Sequence, residues 1–290
     1  MGSVLRSAIE GSFVINLDVI VGIPSNDYWH YKFALSLLGL VTDFTQRIPG
    51  CREQRLRIFN RRGSILPQSR QQLVEAALKA NATHILFVDS DQSFPPDTLR
   101  RLLSWNVPVV GCNVAVKKFP SCPTVREKSA DSPKGTPIFT TEDSTGLQRV
   151  WRMGTGVMLV DMRVFAKLGE KPWFNLLWHE EENDFEGEDW FFCRKVEAAG
   201  YFIYIDQGLS WQIGHLGSLD YKHDFVIAAK MFGEAEDEEI VVDTKEGTLI
   251  PELKRDSNHE LGEQPYEDRQ GQATDGRRLS EEVRVGGEAG

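Results

Sequence analysis

The sequence predicts an α/β fold in which a mainly parallel sheet carries helices on both faces. Three observations point there. Short apolar runs rich in β-branched residues alternate with longer stretches of helical spacing, as strand–helix units do. One of those runs, Ile85 to Val88, stops at two acids, Asp89 and Asp91, with Ser90 between them. Ligands of open parallel sheets bind outside the carboxyl ends of the strands, and these acids stand at such an end.

Taken in order, the first strand is expected over 16–23, a β-branched run bounded by Pro24, Ser25, Asn26 and Asp27. Residues 28–44 carry aromatic and aliphatic side chains at helical spacing. A short strand over 55–59 follows. Gly63 and Pro67 then break the chain before a helix over about 68–80, whose apolar face is Leu73, Ala76, Ala77 and Ala80. After the strand that ends in the acids, Pro95 and Pro96 open a helix to about Trp105, since proline is tolerated in a first helical turn. Residues 107–113 read as another buried strand.

Residues 117–149 are rich in Pro, Ser, Thr, Lys and Asp without periodicity. A segment this long reads as a lid or a substrate-facing loop. A strand over 157–160 and a short helix over 163–168 come next, preceded by Gly154 and Gly156 around Thr155. Glycines there either permit close approach of backbone to a ligand or make a tight turn. Residues 173–186 form an aromatic and acidic loop. An amphipathic helix over 187–199 has Glu188 and Asp189 in its first turn, strands are expected over 201–205 and 209–217, and a final helix over 221–232.

The 290 residues, 41% hydrophobic, suffice for one large core. The formal net charge of -10 is unevenly placed. Seven of the 33 basic and 17 of the 43 acidic residues lie from Gly233 onward, which leaves 26 of each in the body. An anionic substrate is therefore compatible with the folded part. From Arg47 to Arg70, seven arginines meet only Glu53, a stretch that suits either phosphate or a solvated surface. The expected division is a single domain over 13–232 and an acidic, largely disordered tail over 233–290, because the tail has too little apolar surface to offset chain ordering. Four scattered cysteines without a C-x-x-C pair read as reduced thiols. No run of about 18 apolar residues and no signal segment is seen, so the expected location is cytoplasmic and no membrane partner is expected.

Carboxylates two residues apart in extended backbone point the same way, so Asp89 and Asp91 suit a hard divalent cation carrying phosphate oxygens. The plain alternative is a solvated acidic turn. Glu188 and Asp189 have one too, since acids in a first turn interact favourably with the helix dipole. His215 stands alone in WQIGHLGS, as a ligand or as a structural histidine.

In combination, the strand ending in D-S-D, the G-T-G before a strand, the G-E-D opening a helix and the late histidine resemble the GT-A glycosyltransferases. The resemblance is to compact, family-two-like members from bacteria and bacteriophages, and runs from about Asp18 to Phe232. It implies a GT-A (Rossmann-like) sheet and transfer of a hexosyl group from a nucleotide-sugar donor, a UDP-sugar above others, with Mn2+ or Mg2+ bound. By position it implies Asp91 and His215 as metal ligands, and Asp89 near the metal and the donor ribose. It further implies Pro24, Ser25 and Asp27 at the nucleotide base, Arg70 facing the donor, and Ser90, Gly154, Thr155 and Gly156 lining the donor site. Asp189 is the implied base and Glu188 an acceptor contact. In retaining members the Asp189 position contacts the sugar instead. The missing acceptor domain points to a soluble acceptor: a glycan, a protein, or a modified base in phage DNA.

Three other readings compete. A haloacid dehalogenase-type phosphatase also uses D-x-D, and Asp89, Asp91 and Ser93 roughly fit its pattern, but that family places the motif on its first strand. A sugar-phosphate nucleotidyltransferase needs a glycine-rich basic loop after strand one, which residues 23–27 are not. An inactive nucleotide-sugar-binding protein would keep the acids without turnover.

Overall fold

The computed structural model describes residues 15–232, apart from 47, 49, 50, 182, 218 and 219. The acidic segment 233–290 lies outside the described residues, and the expectation of disorder there with it.

The fold is a mixed α/β domain around a seven-stranded sheet. β1 (Ile15–Ser25) leads through α1 (Tyr31–Phe44) to β2 (Cys51–Arg62), and α2 (Leu66–Lys79) leads to β3 (His84–Val88). β4 (Gln92–Ser93), α3 (Thr98–Ser104) and β5 (Val109–Gly111) follow, and then three short strands: β6 (Arg126–Glu127), β7 (Thr136–Pro137) and β8 (Leu147–Val150). β9 (Val157–Asp161) runs into α4 (Met162–Lys167). The hairpin β10 (Leu177–His179) and β11 (Asp184–Glu186) precedes α5 (Glu188–Ala198), β12 (Ile203–Asp206) and α6 (Gln207–Ser210). β13 (Gly214–Leu216), β14 (Asp220–Tyr221) and α7 (His223–Phe232) complete it.

The main sheet has the order β2-β1-β3-β9-β5-β12-β8. β2, β1, β3, β5 and β12 run one way, and β9 and β8 run against them. The central strands are apolar on both faces because helices cover both. Alternate side chains serve two cores. Ile20, Ile85, Phe87 and Val160 pack with Leu73 and Ala77 of α2 and Phe192 and Val196 of α5. On the other side Val19, Val21, Leu86 and Val88 pack with Phe33, Leu37 and Leu40 of α1 and Leu99 and Leu102 of α3.

β2 is longer than expected and forms an edge. Its arginines are a charged border of the kind that discourages further strand pairing. Arg57 and Arg55 meet Asp18 at 2.8 and 3.6 Å, and Arg62 meets Asp27 at 3.1 Å.

Two expectations are corrected. Residues 117–149 are not one structureless loop, because Val125 and Ile138 enter the core and β8, which begins at Leu147, extends the sheet beside β12. Residues 209–217 are not one strand. Asp206 accepts from Leu209 N at 2.8 Å and starts the α6 turn, so only Gly214–Leu216 is extended, and it joins β4 and β14 in a separate three-stranded sheet. Among the described residues no helix is long and apolar enough to cross a membrane.

Candidate active site

Topology gathers the motifs at one edge of the sheet. The carboxyl ends of β1 and β3 share that edge because the two strands are parallel. β9 is antiparallel to β3, so its beginning, just after Gly154, Thr155 and Gly156, arrives at the same edge. Asp89 N donates to the Gly156 carbonyl at 3.0 Å. A Cβ on Gly156 would come 3.2 Å from the Gln92 amide and 3.6 Å from an Asp89 oxygen, so glycine lets backbone lie against the acids. Thr155 is buried with its hydroxyl oxygen unpartnered, and Gly154 lies against Thr124.

At the end of β1, Pro24 and Ser25 pair in register with Arg61 and Arg62. The Ser25 hydroxyl donates to Asn60 Oδ1 at 2.8 Å, and Asp27 is exposed. His30 N donates to the Ser90 carbonyl at 3.3 Å, tying the loop after β1 to the D-S-D turn.

Asp89 and Asp91 diverge on leaving β3. One terminal nitrogen of Arg70 donates to both oxygens of Asp89, at 2.8 and 3.1 Å, and the other donates to Glu188. Arg70 is 2% exposed, with its guanidinium committed to Asp89 and Glu188. Burial works against its charge, but Asp89, Glu188 and Asp189 outweigh that and raise its pKa above the ordinary value.

Asp91 turns to the small sheet, where β13 pairs His215 with Gln92 and Leu216 N donates to the Asp91 carbonyl. Lys117 donates to Asp91 Oδ2, and His215 Nε2 stands 3.6 Å from Oδ1. Burial opposes ionisation of Asp91, yet His215 and Lys117 prevail and hold its carboxyl at about 2. His215 Nδ1 is 2.8 Å from the Ala115 carbonyl. A carbonyl oxygen only accepts, so Nδ1 carries a hydrogen, and Nε2 is the ring nitrogen that faces the carboxylate.

A carboxylate oxygen and an imidazole nitrogen, once the latter is unprotonated, are a donor pair suited to a divalent cation. With metal–ligand bonds of about 2.0–2.2 Å, ligands at neighbouring corners sit about 3 Å or slightly more apart. Lys117 would have to yield to the ion. Among the described residues no group of three or more His, Cys, Asp or Glu is arranged to hold a metal.

Gly187 caps α5 in extended conformation, and Asp189 lies in its first turn. Burial first, and then Glu188, push the Asp189 carboxyl up to about 6, against the pull of Arg70 and the Trp190 N–H. Glu188 is committed to Arg70. Asp189 instead lines an open pocket of about 350 Å³ with Trp151, Phe185, Trp190, His179 and Lys134. Sequence reasoning missed Lys117 and this aromatic wall. The signal was available, since Trp151 and Trp190 flank the G-T-G and G-E-D motifs.

Among the solved structures to which the chain is similar is the crystal structure of A197 from STIV, at 16% identity and a TM-score of 0.48, over 72% of this chain and 91% of that one. No family model matches the chain. No curated protein matches it either.

Proposed function

We propose that the protein is a metal-dependent glycosyltransferase that moves a sugar from a nucleotide-sugar donor, a UDP-sugar above others, to a hydroxyl acceptor with inversion. The reading is carried by Asp189: among the described residues it is the pocket carboxylate without an ion pair, and its pKa of about 6 suits a base working near neutral pH. It takes the acceptor O–H proton as the acceptor oxygen bonds to the anomeric carbon. The carbon–oxygen bond to the diphosphate breaks, and its electron pair leaves with the nucleoside diphosphate.

Asp91 and His215 would hold Mn2+ or Mg2+, which as a Lewis acid stabilises the negative charge gathering on the departing diphosphate. Arg70 keeps Asp89 and Glu188 fixed on one guanidinium, and glycine at 156 leaves backbone close to Asp89. The phosphatase reading loses support at the same place. It needs Asp89 as a free nucleophile, whereas both Asp89 oxygens accept from Arg70.

A calorimetric screen of nucleotide sugars with and without Mn2+, followed by turnover with each binder, tests the proposal. Metal-dependent binding with slow release of nucleoside diphosphate is expected. Binding without turnover on any acceptor would favour an inactive binder, and metal-independent hydrolysis of phosphomonoesters would favour a phosphatase.

A further inference from the structure

The pocket beside Asp189 has a lining more specific than the proposed reaction requires. Its apolar wall is Trp151, Phe185 and Trp190, and its cations are Lys134, Arg152 and Arg194. Each of these cations already has a carboxylate. Lys134 meets Asp184 at 2.5 Å, Arg152 meets Glu197 at 3.0 Å, and Arg194 meets Glu186 at 3.0 Å. His179 also faces Glu186, at 3.6 Å. No pocket cation among the described residues is left to neutralise an incoming phosphate or carboxylate.

We infer that this pocket takes the acceptor as a neutral, polyhydroxylated pyranose ring, laid against the aromatic wall with one hydroxyl at Asp189. The inference rests on the transferase reading and names its acceptor class. Three features favour such a ring. An aromatic face is electron-rich and attracts the weakly positive C–H groups on one side of a pyranose. Ion-paired side chains keep hydrogen-bonding capacity toward hydroxyl groups while presenting little net charge. The size also suits a small ligand, since about 350 Å³ is near the lower end of the range of about 300–1,000 Å³ for small-molecule sites.

The same geometry argues against a flipped nucleobase. A base gripped on both faces needs two parallel rings with a gap between them. Trp151 and Trp190 have centroids 6.4 Å apart and planes inclined by 47°, so they form a bent wall and no slot. The wall is also held in place. The Arg152 guanidinium lies over the Trp151 ring at 4.1 Å, and the indole N–H donates to Glu197 at 3.2 Å. Phe185 packs edge-on against Trp178 at 4.9 Å and remains 62% exposed.

The test is titration of the full chain, with Mn2+ and UDP present, by methyl pyranosides, by hexose 6-phosphates and by nucleosides, read by tryptophan fluorescence. Saturable quenching by at least one neutral pyranoside is expected, with at least tenfold weaker response to the phosphates and nucleosides. Trp190→Ala should weaken the pyranoside response at least tenfold without changing affinity for UDP. If that variant does not fold, Phe185→Ala serves, because the ring is exposed, and a several-fold loss is expected. Tighter binding of a nucleoside or a sugar phosphate, or no pyranoside response while UDP binds, overturns the inference and leaves the transferase reading standing. Failure of UDP and every other nucleotide to bind overturns the transferase reading, and the acceptor assignment with it.

Discussion

One terminal nitrogen of Arg70 holds both oxygens of Asp89, at 2.8 and 3.1 Å, and the same guanidinium reaches Glu188 with its other terminal nitrogen. The strand end that carries D-S-D is thus tied to the helix start that carries Asp189. Removing one partner of a buried ion pair leaves an uncompensated charge and typically costs about 3–5 kcal/mol. Arg70→Met is expected to be destabilised on that scale, and denaturant unfolding would measure it. Arg70→Lys keeps the charge but not the fork, so it should fold better than Arg70→Met and still lose much of the activity.

Gly187 gives a separate handle on Asp189. A Cβ there would lie 2.9 Å from Asp189 Oδ1, while the backbone φ of -64° suits any residue. Gly187→Ala should therefore displace the carboxylate without straining the chain. Steady-state kinetics should show a fall in kcat with the melting temperature nearly unchanged.

Asp189 also sets a pH dependence. Its carboxyl is pushed up to about 6 from an ordinary 3.8, so activity limited by the base should rise with pH through about 6 and then level. Stability should move the opposite way. The folded state holds the proton more tightly than the unfolded chain, so stability falls as pH rises from about 4 to 6. Asp189→Asn should abolish the activity limb, and it should melt higher than the parent at pH 7 but not at pH 4.

Asp91 has the reverse sign. Its carboxyl is held at about 2, below the ordinary 3.8, so its stabilising contacts are complete above about 4 and are lost as pH falls toward 2. Asp91→Asn should flatten the acid limb of the melting curve in that window. The same variant should lose Mn2+-dependent affinity for UDP, as measured by calorimetry.

Much of the fold was legible in the sequence because the central strands are fully buried and read as continuous apolar runs. Ile85 to Val88 is one case, and Val157 to Val160 another. Local periodicity could not reveal the direction of β9, which depends on a long connection and brings Gly156 to Asp89. Nor could it see that Asp206 would cap a helical turn inside the expected strand over 209–217. At the site, the two acids were plain from the abrupt end of β3, but their separation was not. Arg70 and Lys117 lie 19 and 26 residues from their partners in sequence, so the side to which each carboxylate turns is a tertiary property. The pocket is likewise a tertiary assembly: Trp151 precedes the G-T-G motif, while Phe185 and Trp190 flank the G-E-D motif more than 30 residues on.

The role of Asp189 is tested most directly by comparing parent and Asp189→Asn for glycosyl transfer from the nucleotide sugar that binds with Mn2+, with proton NMR of the product. General-base catalysis contributes about 10²- to 10⁴-fold, so the variant should lose transfer on that scale, keep its affinity for the nucleoside diphosphate, and the parent product should have inverted anomeric configuration. Near-normal transfer by Asp189→Asn, or a retained configuration, would contradict the account.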